Sequence, residues 1–270
     1  MRARPFVVAT TLLALAVGGC AAGERDATGA SSAAGGAGGG LTGDITVFAA
    51  ASLTDAFAEV AAGFAEDHPD VTVTFSFGSS ASLAQQVVAG APADVLATAS
   101  SATMDTVVEA GDTDGDSRVF ARNVLQIAVP AGNPGGVAEL ADFADPDRTI
   151  ALCAAEVPCG VAAERVFAAA GITPAPDTLE RDVRAALSKV QLGEVDAALV
   201  YRTDVLSGGG SVEGIDVAAP DVDISAAATT DYPVAVLRQA SKPDAAQAFV
   251  EYVVAGDGQE VLRDAGFRAP

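Results

Sequence analysis

The sequence predicts an α/β protein built on parallel sheets. From residue 44 onward, short apolar runs alternate with segments of helical spacing. Several of those runs are apolar throughout, as strands covered on both faces are. The turns that end them are rich in Ser, Gly and Pro and lead straight into the next helix, the order expected of strand–helix–strand units.

Residues 45–50 read as the first buried strand. Ser52-Leu53-Thr54-Asp55 follows with the spacing of a capping box, so a helix is expected from Ser52 to about Asp67. His68-Pro69-Asp70 is a turn. Residues 71–77 alternate apolar and small polar side chains, as a strand does. Gly78-Ser79-Ser80 opens a second helix ending near Gly90. Residues 93–97 form a strand, and Ser100 starts a third helix. A second part begins near Asn123. Strands are expected there at 124–129, 149–153, 195–201 and 212–218, with helices at 161–170 and 182–192. A late strand at 232–237 precedes two closing helices, 243–254 and 258–264. No internal period of 20 to 50 residues appears, which excludes a solenoid.

Composition narrows the function. Half the 270 residues are hydrophobic, so the chain can bury a core, and only 5% are aromatic, so Ala, Val, Leu and Ile must build most of it. Acidic residues number 36 against 15 basic ones, a formal charge of −21. Nucleic acid is excluded as a partner, because phosphate backbones are held by clustered Lys and Arg. The same charge opposes long-range capture of any anion, so an anionic ligand would have to be held by local dipoles.

The N-terminus reads as an export address. Arg2 and Arg4 precede an apolar stretch at residues 6–17, too short to span a bilayer as a mature helix. Residues 1–19 are therefore expected to be a signal peptide. Val17-Gly18-Gly19-Cys20 resembles a bacterial lipobox, which makes Cys20 the lipidated first residue of the mature chain. Residues 20–43 then form a Gly-, Ala- and Ser-rich tether. The expected location is extracytoplasmic, at the cell membrane. In that compartment Cys153 and Cys159 are expected to form a disulfide; the alternative is a pair of buried thiols. A zinc site is not expected, since His68 is the sole histidine.

Three turns place small polar groups at helix starts: Ser52, Ser79-Ser80 and Pro158-Cys159-Gly160. Helix N-termini offer unpaired N–H groups and a partial positive charge, which favour anions. Any one of these serines is ordinarily a plain cap. Their repetition at the carboxyl ends of strands, where open α/β sheets bind ligands, argues for a site. Other motifs fail. Asp112-Thr113-Asp114-Gly115-Asp116 has a misplaced Gly for a calcium loop, and Asn123 stands where the twelfth-position Glu belongs. Serine-hydrolase and phosphate-loop signatures are absent. No catalytic residues and no cofactor are assigned, so the expectation is a binder and not an enzyme.

Phe48-Ala49-Ala50-Ala51-Ser52-Leu53, Phe77-Gly78-Ser79-Ser80-Ala81-Ser82-Leu83 and Gly90-Ala91-Pro92-Ala93-Asp94-Val95 resemble successive motifs of the periplasmic molybdate-binding proteins of ABC transporters. So do Val157-Pro158-Cys159-Gly160, Asp182-Val183-Arg184-Ala185-Ala186-Leu187, Val200-Tyr201-Arg202-Thr203-Asp204 and Tyr232-Pro233-Val234-Ala235-Val236. The resemblance spans nearly all the chain after the tether. It implies a type II periplasmic-binding fold with two lobes joined by two crossovers, one formed by 44–122 plus 230–270 and the other by 123–229. It also implies an oxyanion in the cleft, with molybdenum present only as bound molybdate, or tungsten as tungstate. The matching contacts are Ser52 and Ser80 by hydroxyl and backbone N–H, Cys159 and Val183 by backbone N–H, and Tyr201 by its hydroxyl. The implied partner is a membrane permease, and the expected form is a monomer. A set of neutral donors suits a fully deprotonated dianion and leaves the proton of hydrogen phosphate without an acceptor, a cost of about 1–3 kcal/mol. Sulfate or another small oxyanion is the alternative ligand; an exported enzyme on the same fold, and after it a cell-surface adhesin, are the alternatives in class.

Overall fold

The computed structural model describes residues 40–219 and 222–270. The expected signal peptide, Cys20 and the tether up to residue 39 lie outside the described residues. The tether ends earlier than expected: Leu41 packs against the core and Gly43 already pairs with Val71.

Strands β1 (Gly43–Ala50), β2 (Val71–Gly78) and β3 (Val95–Ala97) run parallel, in the order β2-β1-β3. The next strand in the chain, β4 (Arg118–Pro130), is long and belongs to two sheets. On the far side of it lie β5 (Ile150–Cys153), β6 (Thr178–Glu180), β7 (Ala197–Tyr201) and β8 (Val212–Asp216). The last strand, β9 (Thr229–Val236), returns beside β3. Residues 118–124 of β4 pair with β9, while 125–130 pair with β7 and β8. All of the β3–β9, β4–β9, β4–β7 and β4–β8 ladders are antiparallel. The sheets are mixed, with antiparallel ladders beside the parallel ones that the strand–helix alternation predicts. Parallel pairing holds only within β2-β1-β3 and β6-β5-β7, where each strand is followed by a helix. Each of the antiparallel ladders joins strands far apart in the chain: β3 with β9, and β4 with β7, β8 and β9.

The helices are α1 (Thr54–Asp67), α2 (Ser80–Val88), α3 (Ser101–Glu109), α4 (Pro158–Ala170), α5 (Val183–Gln191), α6 (Arg202–Ser207), α7 (Ser225–Ala228), α8 (Pro243–Val254) and α9 (Gly256–Asp264). In α1 the buried side chains Ala56, Phe57, Val60 and Phe64 form one face, and the helix stops at His68 before Pro69. Ser100 caps α3 by accepting from the Thr103 N–H at 3.4 Å. Pro158 occupies the first position of α4, where its missing N–H is harmless. Gly171 ends that helix in the left-handed conformation, φ 68°.

Two main cores form on either side of the crossing. One gathers Phe57, Phe64, Phe120, Tyr232 and Phe249 beneath β1, β3 and β9, with Phe64 and Phe249 meeting edge to face at 5.4 Å. The other packs Ile127, Phe143, Val166, Phe167 and Leu187 around β5 and β7. A smaller cluster of Phe48, Leu83, Leu96 and Met104 lies under α2 and α3. Truncating any of these phenylalanines to Ala would destabilise by about 3–5 kcal/mol. No helix among the described residues is long and apolar enough to cross a membrane.

Candidate functional site

The carboxyl ends of β1, β2, β5 and β7 converge on one small cavity. It is lined by Ala50 to Ser52, Gly78 to Ser80, Ala99, Val157 to Cys159, Asp182, Val183 and Tyr201. The five residues expected to contact an anion, Ser52, Ser80, Cys159, Val183 and Tyr201, therefore stand together. The first two come from one half of the molecule and the other three from the other half.

Each wall has a local cause. After β1 the chain makes a 3-10 turn at Ala51–Leu53 before α1 starts at Thr54. The capping box expected at Ser52 does not form. Instead the Ser52 hydroxyl lies 2.8 Å from that of Tyr232. The extra turn carries Ser52 inward, while Thr54 closes the turn by donating to the Ala51 carbonyl at 2.7 Å. After β2, Ser79 precedes α2 without capping it, and its hydroxyl is buried and unpaired. Ser80 is 2% exposed and accepts the Ala99 N–H at 3.0 Å. None of these serine hydroxyls caps its helix.

Opposite them, a disulfide joins Cys153, the last residue of β5, to Cys159 in the first turn of α4. The link fixes where that helix begins. Gly160 is required beside it: a Cβ there would lie 1.9 Å from the Ala154 carbonyl oxygen. Asp182 caps α5 by accepting the Ala185 N–H at 2.9 Å, which leaves the Val183 N–H at the cavity end of the helix. Three helix N-termini, of α2, α4 and α5, thus border the same cavity and direct partial positive charge toward it.

Tyr201 completes the wall. Its ring is 1% exposed, and among the described residues its hydroxyl makes no hydrogen bond of ordinary length, with the Thr230 and Tyr232 hydroxyls among its polar neighbours. Burial, reinforced by Asp204, pushes the phenol far above its ordinary value, so it stays protonated and can donate. An unpaired buried hydroxyl costs about 1–3 kcal/mol, and here it borders an open cavity. Just behind it, Asp204 is fully buried. One carboxylate oxygen accepts the Tyr201 N–H at 3.1 Å, and the other is unpaired, 4.0 Å from Arg184. Burial raises Asp204 to about 7, against the pull of Arg184. Arg184 also pairs with Asp55 on α1 and donates to the Ser207 hydroxyl at 2.5 Å, tying the two halves together at the edge of the site.

Among the described residues Asp182 is the only charged one lining the cavity, and its carboxylate is occupied as a helix cap. The lining otherwise offers hydroxyls and backbone N–H groups, an arrangement able to surround a small oxyanion and lacking any nucleophile–base pair. Sequence reasoning missed Tyr232, Asn123, Ala99, Asp204 and Arg184. For Tyr232 and Asp204 a signal existed. A tyrosine in an apolar strand must find a partner for its hydroxyl, and Asp204 stands three residues after the end of a strand, where a carboxylate can accept that strand's last N–H.

Residues 45–268 match the family model described as bacterial extracellular solute-binding protein. The chain is similar to the molybdate-binding protein ModA of Mycobacterium tuberculosis strain H37Rv, with 39% identity over 226 residues, covering 84% of this chain and 85% of that protein. Among solved structures it resembles the Azotobacter vinelandii periplasmic molybdate-binding protein, with a TM-score of 0.72 at 19% identity, covering 84% of this chain and 99% of that one. It also resembles the sulfate-binding protein SubI from Mycobacterium tuberculosis H37Rv, with a TM-score of 0.71 at 20% identity, covering 84% of this chain and 86% of that one. At these identities the two structures speak to the fold alone.

Proposed function

This chain belongs to the family of bacterial extracellular solute-binding proteins, and from that premise we propose that it captures molybdate or tungstate outside the cytoplasm and hands it to the membrane permease of an ABC transporter. The 39% identity to a molybdate-binding protein over most of both chains supports the ligand class. The observation that carries the reading is the buried Tyr201 hydroxyl, unpaired and bordering a cavity otherwise lined by neutral donors. A tetrahedral dianion would give that hydroxyl an acceptor and would take N–H groups from Cys159 and Val183 and hydroxyls from Ser52 and Ser80. Hydrogen bonds to a charged acceptor contribute about 1.5–3 kcal/mol each, enough together to hold the ion without a formal cation. The protein holds the ion and releases it unchanged; it performs no reaction on it.

Calorimetric titration of the purified protein with molybdate, tungstate, sulfate and hydrogen phosphate tests this. The expected order places the first two far ahead, with hydrogen phosphate last. Equal affinity for sulfate and molybdate would remove the assignment of ligand, and absence of heat with all four would remove the function. The lipid anchor at Cys20 belongs to the same proposal. Cys20→Ser is expected to move the protein from the membrane fraction to the soluble fraction, and its retention in the membrane would contradict the anchor.

A further inference from the structure

Tyr232 does not line the cavity, yet it is fully buried directly behind Ser52. Its hydroxyl has two partners: the Ser52 hydroxyl at 2.8 Å and the Asn123 side-chain nitrogen at 3.5 Å. The Asn123 amide is fixed in orientation, because its oxygen accepts the Val124 N–H at 2.9 Å and its nitrogen donates to the Thr203 hydroxyl at 2.8 Å. That nitrogen can only donate. Of the two partners of Tyr232, then, only the Ser52 oxygen can take the phenolic proton. Burial pushes the phenol well above its ordinary value, so the proton is always present. If Ser52 donated to Tyr232 instead, the phenolic proton would have to leave its 2.8 Å partner for the neighbouring Tyr201 hydroxyl, with which it makes no hydrogen bond of ordinary length. Ser52 consequently accepts from Tyr232, and its own proton is free to turn to the cavity. The same logic holds at Ser80, whose oxygen accepts from the Ala99 N–H at 3.0 Å.

Resting on the anion reading above, we propose that Tyr232, backed by Asn123, is a specificity-determining positioning residue: it occupies the accepting side of Ser52 and so compels that hydroxyl to donate to the ligand. A serine hydroxyl is ordinarily ambivalent and serves a protonated oxyanion as readily as a bare one. With its acceptor side filled from behind, it can only give a proton. The relay makes Ser52 discriminate against ligands that carry a proton, a selectivity that cavity size does not provide.

The test is a double-mutant cycle read with molybdate and with hydrogen phosphate. Tyr232→Phe keeps the ring and removes the donor, leaving Ser52 free to rotate. It is expected to weaken molybdate binding about five- to tenfold and to reduce the molybdate-to-phosphate affinity ratio by at least about tenfold. In a Ser52→Ala background the same substitution is expected to change affinity by less than about twofold, because Tyr232 acts through Ser52. Asn123→Ala offers a second route to the relay from its far end, with a smaller loss that also disappears in the Ser52→Ala background. Additive effects, or an unchanged affinity ratio, would overturn the relay while the wild-type protein still binds molybdate. Failure of the wild-type protein to bind any tetrahedral oxyanion would instead overturn the functional reading, and the relay with it.

Discussion

Tyr201→Phe should move stability and affinity in opposite directions. In the ligand-free protein the Tyr201 hydroxyl is buried without a partner, so removing it relieves a desolvation cost of about 1–3 kcal/mol. The ring, which meets that of Tyr232 at 5.9 Å, stays in place. At about 2–4 °C per kcal/mol for a domain of this size, the melting temperature without ligand should rise by about 2–12 °C. Binding should weaken about tenfold to hundredfold, since one donor to a charged oxygen is lost. The two effects cross as ligand is added. At a molybdate concentration of 100 times the wild-type Kd, ligand stabilises wild type by about 2.7 kcal/mol, but a tenfold weaker variant by only about 1.4 kcal/mol. Thermal scans with and without molybdate, alongside calorimetric affinities, measure both quantities. A variant that is less stable without ligand and binds with unchanged affinity would show that the hydroxyl has a structural partner and no part in the site.

Ser80→Ala should lower both quantities, because it leaves the buried Ala99 N–H without its acceptor as well as removing a donor to the ligand; a loss of about 1–3 kcal/mol in urea unfolding is expected, and full retention of stability would contradict the bond. Asp204 gives a pH signature: folded, it holds its proton up to about 7, whereas unfolded it releases it near the ordinary 3.8. The unfolded state thus binds fewer protons between those values, so this group's contribution falls as pH rises from about 4 to about 7, by at most about 2–4 kcal/mol. Asp204→Asn should flatten that slope in chemical unfolding across the window, and an unaltered slope would refute the assignment. Replacing Cys153 and Cys159 together by Ala should cost about 2 kcal/mol of stability for so short a loop and weaken molybdate binding by loosening the first turn of α4; wild-type affinity in this variant would show that the turn needs no tie.

The strands most legible in the sequence were those with continuous apolar runs, because burial on both faces leaves a compositional mark. β1, β5 and β7 fall within about two residues of their expected bounds. β6, with the residues Thr178-Leu179-Glu180, has no such mark: it is a three-residue edge strand with Leu179 61% exposed. The first half of β4 was missed for a related reason. Its residues Arg118, Arg122 and Asn123 read as polar, and only pairing with β9 makes them a strand. The antiparallel crossings were likewise invisible, since strand direction depends on partners far along the chain. At the site, the family resemblance named the residues that border the cavity, but the capping box read at Ser52 does not form, and the hydroxyls of Ser52 and Ser80 engage Tyr232 and Ala99. Those partners are 180 and 19 residues away in sequence, and no local pattern encodes such a meeting.

The dual membership of β4 has a mechanical consequence. A strand laddered to β9 through Val124 and to β7 from Leu125 onward is held by its partners over both stretches and has a joint where they change, a few residues beyond a bulge between Val119 and Ala121. That joint is about one peptide long, too short to permit sliding, so the softest relative displacement of the two sheets is an angle. Asn123 sits at this pivot with one amide hydrogen directed to Thr203 in the second half and the other toward Tyr232 in the first. Any change of angle must therefore stretch one of these bonds relative to the other, and the side chain that stands behind the Tyr232–Ser52 pair is also the one that registers how far the jaws are open.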